Sequence, residues 1–536
     1  MKTPHDASPL KPGLHILSRR LTHLPDPLAL FSRLRADAPG LPRALFETAE
    51  HTAAADAQSL IYVDPAVSCQ LVADQVVWKH LSANGRHAIQ TLLDGGWVRD
   101  AQGDRQDGAV VFPLPDRAVD LDEEARLRAP SPLDPLRTLI WSWRSDPRTL
   151  ESVHAFGSFA YDLVDRFEPL PPRAPVDRGR PDYAFYLCES RILIDHSHGT
   201  TTVTTVVFGD QPPPDLELGA RRRLSELERV IQATPGATPH PHARRAHAQN
   251  YRVVTEDAEF ARTVAALKTE ITRGEVFQIV PSRRFETPCP DPLKAYAELR
   301  GLNPSPYMFY LEEDGSTLFG ASPESALKIR ATERTVEIRP IAGTRGRALN
   351  PDGSLDVDRD GRLELELRLN TKELAEHAML IDLARNDVAR VSEPGTRTVP
   401  ELMAIERYSH VMHLVSRVKG KLRAGLDALH AYQASLNMGT LTGAPKIRAM
   451  QILRKVECTP RGPYGGAVGY LDALGNLDTA IVIRSAWVEE GTAWVQAGCG
   501  VVADSDPVEE CHETRRKAEA VLAAITLARE GGSGAS

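Results

Sequence analysis

Residues 464–470 read Tyr464-Gly465-Gly466-Ala467-Val468-Gly469-Tyr470, and residues 480–484 read Ala480-Ile481-Val482-Ile483-Arg484. The first run is a glycine-rich turn that leads into apolar residues, and the second is the β-branched, apolar run typical of a buried strand. A third run, Gln496-Ala497-Gly498-Cys499-Gly500, again places a glycine turn beside a strand. The strands are not separated by regular helices, so a doubly wound parallel sheet is not favoured.

Outward from these runs, the chain from about residue 255 alternates long helical stretches with short strands. Apolar residues recur at helical spacing over Phe260–Ile271, and this helix is expected to end at Gly274, because glycine is favoured just past a helix C-terminus. Further strands are predicted at Val276–Val280, Thr317–Phe319 and Val336–Ile338.

The first part of the chain mixes strand and helix patterns, with strand-like runs at Ser59–Val63 and Thr202–Phe208. Residues 233–249 are rich in proline and histidine and have the composition of a linker. The sequence therefore predicts four segments: an N-terminal region over residues 1–232, the linker over 233–249, a second and denser folded domain over 250–527 and a disordered tail over 528–536.

The composition is that of a globular protein, with 536 residues, 42% of them hydrophobic and 25% charged, and a mean hydropathy of −0.29. No apolar run reaches the roughly 18 residues that a membrane span needs, and the start lacks a secretory signal, so a cytoplasmic protein is expected. Six cysteines without a Cys-x-x-Cys pair predict reduced thiols and no structural zinc. A net charge of −8 attracts neither nucleic acid nor anionic small molecules, so an anionic substrate requires local cations, helix N-termini or a metal.

Two pairs of glutamates lie three residues apart in helix-forming segments. Glu373 and Glu376 face one side of a predicted helix, and Glu510 and Glu513 repeat the spacing, with Lys517 one turn beyond Glu513. Carboxylate pairs from two helices suit a hard cation such as Mg²⁺. The spacing alone favours a solvated helix face, because other glutamates of the chain show it without any sign of chemistry.

Glycine-rich turns and one histidine supply further candidates. The turns at Pro340–Thr344, Tyr464–Tyr470 and Gln496–Gly500 let backbone N–H groups approach an anion, although tight turns alone would also explain them. His413, flanked by apolar residues, is a candidate proton shuttle, and its alternative is a hydrogen-bonded core histidine. Cys499 between two glycines suggests an amidotransferase nucleophile, an interpretation we reject because apolar residues follow where that motif would continue.

Six motifs follow one another in a fixed order. They are Phe277–Arg284, Ser322–Ser325, Pro340–Thr344, Ile381–Asp387, His413 and Gly439–Lys446. Their combination resembles the chorismate-utilising enzymes and, within them, the anthranilate synthase component I family of the enterobacterial type. Isochorismate and salicylate synthases carry a water-activating lysine where this chain has Gln278, and aminodeoxychorismate synthases typically carry a lysine where it has Ala342. Both substitutions favour the anthranilate branch.

The resemblance implies an α+β fold of large antiparallel sheets packed face to face with helices outside. It implies Mg²⁺ as cofactor, bound directly by Glu376 and Glu513, with Glu373 and Glu510 acting through water. It also implies that chorismate is held by residues of the glycine turns together with two cations, namely Gly343, Thr344, Tyr464, Arg484, Gly498, Cys499, Gly500 and Lys517.

The reaction implied by the resemblance is the formation of anthranilate and pyruvate from chorismate and ammonia, the first step of tryptophan biosynthesis. Ammonia adds to the ring as the hydroxyl leaves, and Glu324 is the expected general acid. His413 is the expected base that removes a ring proton in the second step. No glutaminase domain fits after about residue 525, so a separate glutamine amidotransferase subunit is expected, in an assembly of two large and two small subunits.

Feedback inhibition by L-tryptophan is also expected from the resemblance. The residues that match the inhibitor motifs of the family are Glu47, Thr48, Pro306, Tyr307 and Met308. Four positions depart from the enterobacterial pattern and predict weaker inhibition than in close relatives, namely Phe46, Thr48, Gln58 and Ala480.

Two alternatives remain at this stage. One is a 2-amino-2-deoxyisochorismate synthase, which aminates chorismate without eliminating pyruvate. The other is a non-catalytic regulatory protein that binds chorismate or tryptophan. The complete set of candidate catalytic and metal-binding residues, five glutamates and one histidine, argues against this alternative.

Overall fold

The computed structural model describes residues 11–37, 39–48, 57–98, 108–116, 121–172, 180–236, 247–350, 354–408, 411–457 and 459–530. Most of the predicted linker, residues 237–246, and the end of the predicted tail, residues 531–536, lie outside these ranges.

The described ranges contain twenty-three strands. They are β1 Leu14–Leu21, β2 Arg43–Glu47, β3 Gln58–Val72, β4 Gln75–His80, β5 Ala109–Pro113, β6 His154–Phe159, β7 Tyr183–Asp195, β8 Thr200–Phe208, β9 Arg252–Val253, β10 Gln278–Ile279, β11 Ser282–Pro288, β12 Tyr307–Glu313, β13 Ser316–Ser322, β14 Ser325–Arg330, β15 Thr335–Ile338, β16 Ile341–Gly346, β17 Thr398–Arg407, β18 Val411–Lys421, β19 Gly443–Ala444, β20 Ala467–Asp472, β21 Leu477–Ile481, β22 Ser485–Glu489 and β23 Thr492–Gly498.

Fourteen α-helices of the described ranges cover the strands, together with one 3₁₀ segment at Tyr161–Arg166. They are α1 Pro27–Asp37, α2 Ala83–Asp94, α3 Glu123–Arg128, α4 Asp134–Trp141, α5 Pro147–Leu150, α6 Pro214–Ala233, α7 Asp257–Thr272, α8 Pro292–Leu302, α9 Val357–Leu369, α10 Thr371–Val391, α11 Ala428–Ser435, α12 Gly439–Thr442, α13 Lys446–Val456 and α14 Pro507–Glu530. None of the helices in the described ranges is long and apolar enough to cross a membrane.

The strands pair antiparallel, and 21 of them join one continuous hydrogen-bonded sheet. One hydrophobic core lies between its two halves and is built from strand residues plus the loop residue Val482. Two larger cores lie outside it and add helices, with α1, α6, α8 and α14 in one and α2, α4, α10 and α11 in the other. The predicted α+β class, with antiparallel sheets face to face and helices outside, is confirmed.

Strand β3 contributes side chains to two hydrophobic cores, one on each of its faces. Leu60 and Tyr62 point into the strand-only core, whereas Ile61 and Val63 point into a helix-backed core. Successive side chains of a strand face opposite ways, so a strand covered on both faces needs an unbroken apolar run. This requirement explains why residues 59–63 lack the usual polar alternation.

The pairing of strands crosses the two regions predicted from the sequence. β2 pairs with β12, and β6 pairs with β20, so residues before and after the linker share the same sheet. At the other end, α14 continues to Glu530, so the first three residues assigned to the tail are helical.

Most of the predicted elements appear in the structure. The helix at Phe260–Ile271 lies within α7, and Gly274 follows it with φ of 79°. The strands at Thr317–Phe319 and Val336–Ile338 lie within β13 and β15.

Two strand predictions were too long. Residues 276–280 contain only the two-residue strand β10, because its partner β19 is equally short. Phe277 N–H bonds to the carbonyl of Ala444 in β19, and Val280 N–H already bonds to the carbonyl of Thr442, the last residue of α12. The strand at Ala480–Arg484 ends at Ile481, because the next residue exchanges backbone hydrogen bonds with the glycine turn at Gly465–Gly466.

A buried ion pair fixes α10, the helix that carries Glu373 and Glu376. The Lys446 ammonium lies 2.7 Å from the Asp387 carboxylate and donates to the Ser435 carbonyl at 3.0 Å. Burial lowers the pKa of Lys446 and raises the pKa of Asp387, so desolvation outweighs the attraction between the two charges. The pair therefore ties α10 to α13 at a cost in solvation.

We predict that Lys446→Met lowers the free energy of unfolding by about 3–5 kcal/mol, because the Asp387 charge would remain buried without a partner. Urea unfolding followed by circular dichroism measures this loss. Arg385→Met on the same helix is the matched control, because Arg385 pairs with Asp382 at the surface and such pairs contribute about 1 kcal/mol or less. Equal losses in the two variants would contradict the assignment.

Candidate active site

Helices α10 and α14 bring the two predicted carboxylate pairs together. The Asn370 side chain caps α10 by accepting a hydrogen bond from the Glu373 N–H at 3.0 Å. Burial raises the pKa of Glu376; a nearby lysine lowers it, and the charges of Glu373, Glu513 and Glu510 raise it again. Four carboxylates therefore repel one another across the gap between the two helices.

The cations around these carboxylates are unevenly distributed. Lys517 lies 2.6 Å from Glu513, and although burial alone would raise the pKa of Glu513, this ammonium brings it below its usual value. Arg345 donates to Glu373 at 3.1 Å. Burial raises the pKa of Glu510, and its buried Oε2 accepts no hydrogen bond from any side chain of the described ranges.

The donor set fits a hard divalent cation. Within the described ranges no three His, Cys, Asp or Glu side chains are already grouped as a metal site. All four donors are carboxylate oxygens, which Mg²⁺ prefers, and a cation would relieve their repulsion and satisfy the orphaned oxygen of Glu510. Glu373, Glu376, Glu510 and Glu513 could therefore hold such an ion, with water completing the coordination.

The glycine turn of β16 approaches these carboxylates closely. The register between β16 and β18 shifts at Gly343, which has φ of 69°. A Cβ at this position would lie 2.7 Å from the Leu367 side chain and 2.9 Å from a carboxylate oxygen of Glu373. Only glycine satisfies both the backbone conformation and the space, which is the reason for the turn at this position.

His413 lies beside this turn. Its Nδ1 is 2.9 Å from the Thr344 hydroxyl, and its side chain is buried. Burial and the Arg484 charge lower its pKa to about 4, while Glu406 raises it slightly. The imidazole is therefore neutral at pH 7 and able to accept a proton.

The pKa of Glu324 is shifted in the opposite direction from that of His413. Burial raises its pKa to about 8, against the opposing effects of the Ile341 N–H, the Thr440 hydroxyl and Lys517. The Ile481 N–H donates to its backbone carbonyl at 3.0 Å and fixes the turn after β13. The carboxyl is therefore protonated at pH 7 and able to donate a proton.

Arg484, Lys517 and Tyr464 form another side of the candidate site, next to Gly498. Arg484, with φ of 50°, donates to the Lys517 carbonyl at 3.2 Å, and the Lys517 ammonium donates to the Gly498 carbonyl at 3.1 Å. Burial lowers the pKa of Arg484. A Cβ on Gly498 would lie 2.9 Å from the Tyr464 hydroxyl, so these backbone and side-chain groups are in close contact.

The segment Gly498–Gly500 contains one buried side chain, that of Cys499, between two glycines. The Cys499 thiol is fully buried in a hydrophobic cluster, and burial raises its pKa well above the usual value. A Cβ on Gly500 would lie 2.6 Å from the amide nitrogen of Gln278. Cys499 can thus contribute only backbone groups to a ligand, and its thiol is not a nucleophile, in agreement with the sequence.

The residues predicted to bind the inhibitor L-tryptophan lie on, or next to, the neighbouring strands β2 and β12. Glu47 of β2 is the register partner of Met308 of β12. The Glu47 carboxylate, however, accepts a hydrogen bond from Tyr296 at 2.6 Å and pairs with Arg300 at 3.0 Å. Phe46, in contrast, packs with Tyr307 against the strand-only core. The Glu47 side chain thus lies on the opposite face of the sheet from the side chains of Phe46 and Tyr307.

Three further side chains adjoin the predicted residues without having been assigned a role. Thr440 lies beside Glu324, the buried amide oxygen of Gln278 has no partner among the described residues, and Glu406 is the register partner of His413. Thr440 and Gln278 belong to motifs already quoted for the resemblance. Glu406 was missed because its position depends on the register of the hairpin formed by β17 and β18.

Comparison with known proteins gives consistent matches. The family described as "chorismate binding enzyme" matches residues 101–523. Anthranilate synthase component 1 of Vibrio cholerae is 48% identical over 519 residues, covering 97% of both chains, and that of Escherichia coli is 47% identical over 518 residues, covering 97% of this chain and 98% of the relative.

Two solved structures have folds similar to that of this chain. Anthranilate synthase component I of Streptococcus pneumoniae superposes with a TM-score of 0.62 at 26% identity, covering 88% of this chain and 93% of that one. The menaquinone-specific isochorismate synthase of Escherichia coli has a TM-score of 0.62 at 17% identity, covering 97% and 96%, and supports the fold alone.

We predict that Glu324→Gln stabilises the protein increasingly as the pH rises from 5 to 8. An unfolded glutamate loses its proton near its ordinary pKa, whereas the folded Glu324 keeps it until about pH 8, so unfolding releases a proton and becomes easier at higher pH. The difference in unfolding free energy between variant and wild type should grow by up to about 1.4 kcal/mol per pH unit.

Urea unfolding at several pH values measures that slope. Glu259→Gln, at an exposed position of α7, is the control and should show a pH-independent difference. A pH-independent difference for Glu324→Gln as well would show that the carboxyl is not held protonated.

Proposed function

Because the chain belongs to the chorismate-binding enzymes and, within them, to the anthranilate synthase component 1 family, we propose that its buried site converts chorismate and ammonia to anthranilate and pyruvate. The observation that carries this proposal is the pair of opposite pKa shifts beside one strand. Glu324, next to the Ile341 N–H, is protonated at pH 7, and His413, next to the Thr344 hydroxyl, is unprotonated. A neutral acid and a neutral base beside the same strand are what an amination followed by an elimination requires.

Substrate binding depends on local charge, because the chain as a whole is negative. Chorismate has two carboxylates. Arg484 and Lys517 supply two positive charges at the wall formed by Gly498 and Tyr464, and the Gly343–Thr344 turn supplies backbone groups at close approach. These groups are proposed to hold one carboxylate by charge-assisted hydrogen bonds.

We propose that Mg²⁺ is held by Glu376 and Glu513 directly, and by Glu373 and Glu510 through water. Bound there, it would supply positive charge to the second substrate carboxylate. The mutual repulsion that raises the pKa of Glu376 and the orphaned oxygen of Glu510 support this assignment.

The amination step needs an acid, because hydroxide is a poor leaving group. The protonated Glu324 is proposed to give its proton to the ring hydroxyl, which leaves as water while ammonia forms the new C–N bond at another ring carbon and the ring double bonds shift toward the carbon that loses the hydroxyl. The ammonium group formed in this way then returns one proton to the Glu324 carboxylate, which leaves the neutral amine. In the second step His413 takes the proton from the carbon that bears the new amine. The electron pair of that C–H bond forms a ring double bond, and the enolpyruvyl C–O bond breaks to release pyruvate after protonation by water.

The relatives are called component 1, which implies a second component. We propose that this partner is a glutamine amidotransferase subunit that supplies ammonia, in an assembly of two large and two small subunits. The five cysteines of the described ranges support this, because all are buried and burial raises the pKa of each thiol. None of these five has the exposed, low-pKa thiol that glutamine hydrolysis needs.

The decisive assay is incubation of the purified chain with chorismate, Mg²⁺ and an ammonium salt at raised pH, followed by fluorescence detection of anthranilate. We predict anthranilate with ammonium and none with glutamine. Glu324→Gln should form no product, because an amide cannot donate the required proton. A product with the mass of 2-amino-2-deoxyisochorismate and no anthranilate would favour an enzyme that only aminates, and glutamine-dependent turnover would contradict the proposed partner.

Tryptophan is proposed to inhibit by binding near Thr48 and the Pro306–Met308 segment. Thr48 lies two residues after Phe46, whose ring meets Tyr62 edge-on with centroids 5.8 Å apart and so takes up space on the Thr48 side of the strand. The extra methyl of threonine relative to serine reduces that space further, which is expected to misalign a hydrogen bond to the inhibitor.

We predict that Thr48→Ser lowers the tryptophan concentration for half-inhibition by up to about tenfold, equivalent to roughly 1.4 kcal/mol. Rates are normalised to the uninhibited rate of each variant. Thr335→Ser, at the start of β15, is the matched control and should leave the dose-response curve in place. An unchanged curve for Thr48→Ser would exclude Thr48 from the inhibitor site.

A further inference from the structure

His413 is flanked on both sides by polar residues of neighbouring strands. It lies on β18, with Thr344 of β16 as register partner on one side and Glu406 of β17 on the other. Residues directly opposite each other in antiparallel strands share a face of the sheet, so the three side chains form a row. Thr344 contacts the imidazole Nδ1 at 2.9 Å, and Glu406 closes the row at its other end.

Glu406 is itself held by two partners. Arg339, on the turn before β16, forms an ion pair with one of its carboxylate oxygens, and the Tyr408 hydroxyl donates to the other at 2.8 Å. Both members of the ion pair are about one-third exposed, at 35% and 29%. This half-buried position spares Glu406 the full desolvation cost of a core carboxylate.

Tyr408 links the carboxylate to the histidine in a second way. Its ring meets the imidazole edge-on, with centroids 5.4 Å apart and an interplanar angle of 63°. The imidazole is thus confined by the hydroxyl of Thr344 and the ring of Tyr408, while the charge of Glu406 lies beside it. Glu406 opposes the effect of burial and of Arg484 on the imidazole, and so favours the form that carries an added proton.

We propose that Glu406 and Tyr408 are positioning residues for the second step of the reaction, in which they orient His413 and stabilise the imidazolium formed when it takes the ring proton. This inference rests on the proposed function. The contacts of Glu324 lie elsewhere, with Ile341, Thr440 and Lys517, so the amination step does not depend on this pair. Loss of either residue should therefore affect the two steps unequally.

Because His413 acts only in the second step, the unequal effect on the two steps can be measured from the products. If His413 accepts the ring proton poorly, the C–H bond does not break and the enolpyruvyl group stays attached. The aminated intermediate then leaves the site as 2-amino-2-deoxyisochorismate. The fraction of consumed chorismate that appears as this intermediate reports on His413 alone.

The test compares Glu406→Gln and Tyr408→Phe with wild type, using chorismate, Mg²⁺ and ammonium. Chorismate consumption, anthranilate and the intermediate are separated by chromatography and identified by mass. For Glu406→Gln we expect anthranilate formation to fall by about tenfold or more while chorismate consumption falls less than about twofold, since positioned acid–base groups contribute roughly 100-fold or more. Tyr408→Phe removes only one hydroxyl and should shift the partition in the same direction by a smaller factor.

Glu401→Gln is the matched control. Glu401 lies on the same strand and forms an ion pair with Arg417, its register partner on β18, as Glu406 faces His413. Its removal weakens the same strand pair without touching the histidine, so the partition should stay at the wild-type value. His413→Met is the positive comparator and should release mainly the intermediate.

The possible outcomes separate this inference from the proposed function. A parallel fall of both products in Glu406→Gln and Tyr408→Phe, or a wild-type partition in both, overturns the inference while wild-type anthranilate still supports the function. A wild type that makes no anthranilate contradicts the function and with it the inference. If Glu406→Gln does not fold, Tyr408→Phe decides the question.

Discussion

Removal of water from the charged groups of the site is the constraint on which the rest of the structure depends. Burial raises the pKa of Glu324 to about 8 and lowers the pKa of His413 to about 4, which reverses their ordinary order of ionisation. Burial likewise lowers the pKa of Arg484. The same desolvation that costs stability therefore leaves a protonated carboxyl, a neutral imidazole and a buried guanidinium in the candidate site. In a chain of net charge −8, such local arrangement is the means by which a dianion can be bound.

The fold supplies this environment through a few backbone contacts. β16 is central, because its Ile341 N–H lies by Glu324 and its Thr344 hydroxyl by His413, while the bulge at Gly343 brings the strand against Glu373. Helices α10 and α14 then add the carboxylates, and the Lys446–Asp387 pair holds α10 in place. The candidate site is thus formed where a strand edge, two helix faces and two glycine turns meet, and no single element contains it.

Much of this could be predicted from the sequence, and the exceptions have physical reasons. Helical spacing was sufficient for α7 and for the facing of Glu373 and Glu376, because these depend on residues three or four apart. The path of Val482–Arg484 could not be predicted, because it follows from hydrogen bonds to the glycine turn at Gly465–Gly466. The row of Thr344, His413 and Glu406 depends on the register of three strands, which tertiary packing sets. The orientation of Glu47 toward Arg300 depends likewise on the placement of α8.

The pH dependence of kcat/KM for chorismate tests the central claim most directly. It would be measured from about pH 5 to pH 9 with saturating Mg²⁺ and with the ammonia concentration expressed as unprotonated NH₃. The account predicts a plateau from about pH 5 to about pH 8 and a decline above it, because Glu324 must keep its proton while His413 is already neutral. A rate that falls as the pH drops below the ordinary histidine pKa of about 6.5, with no decline near pH 8, would contradict it.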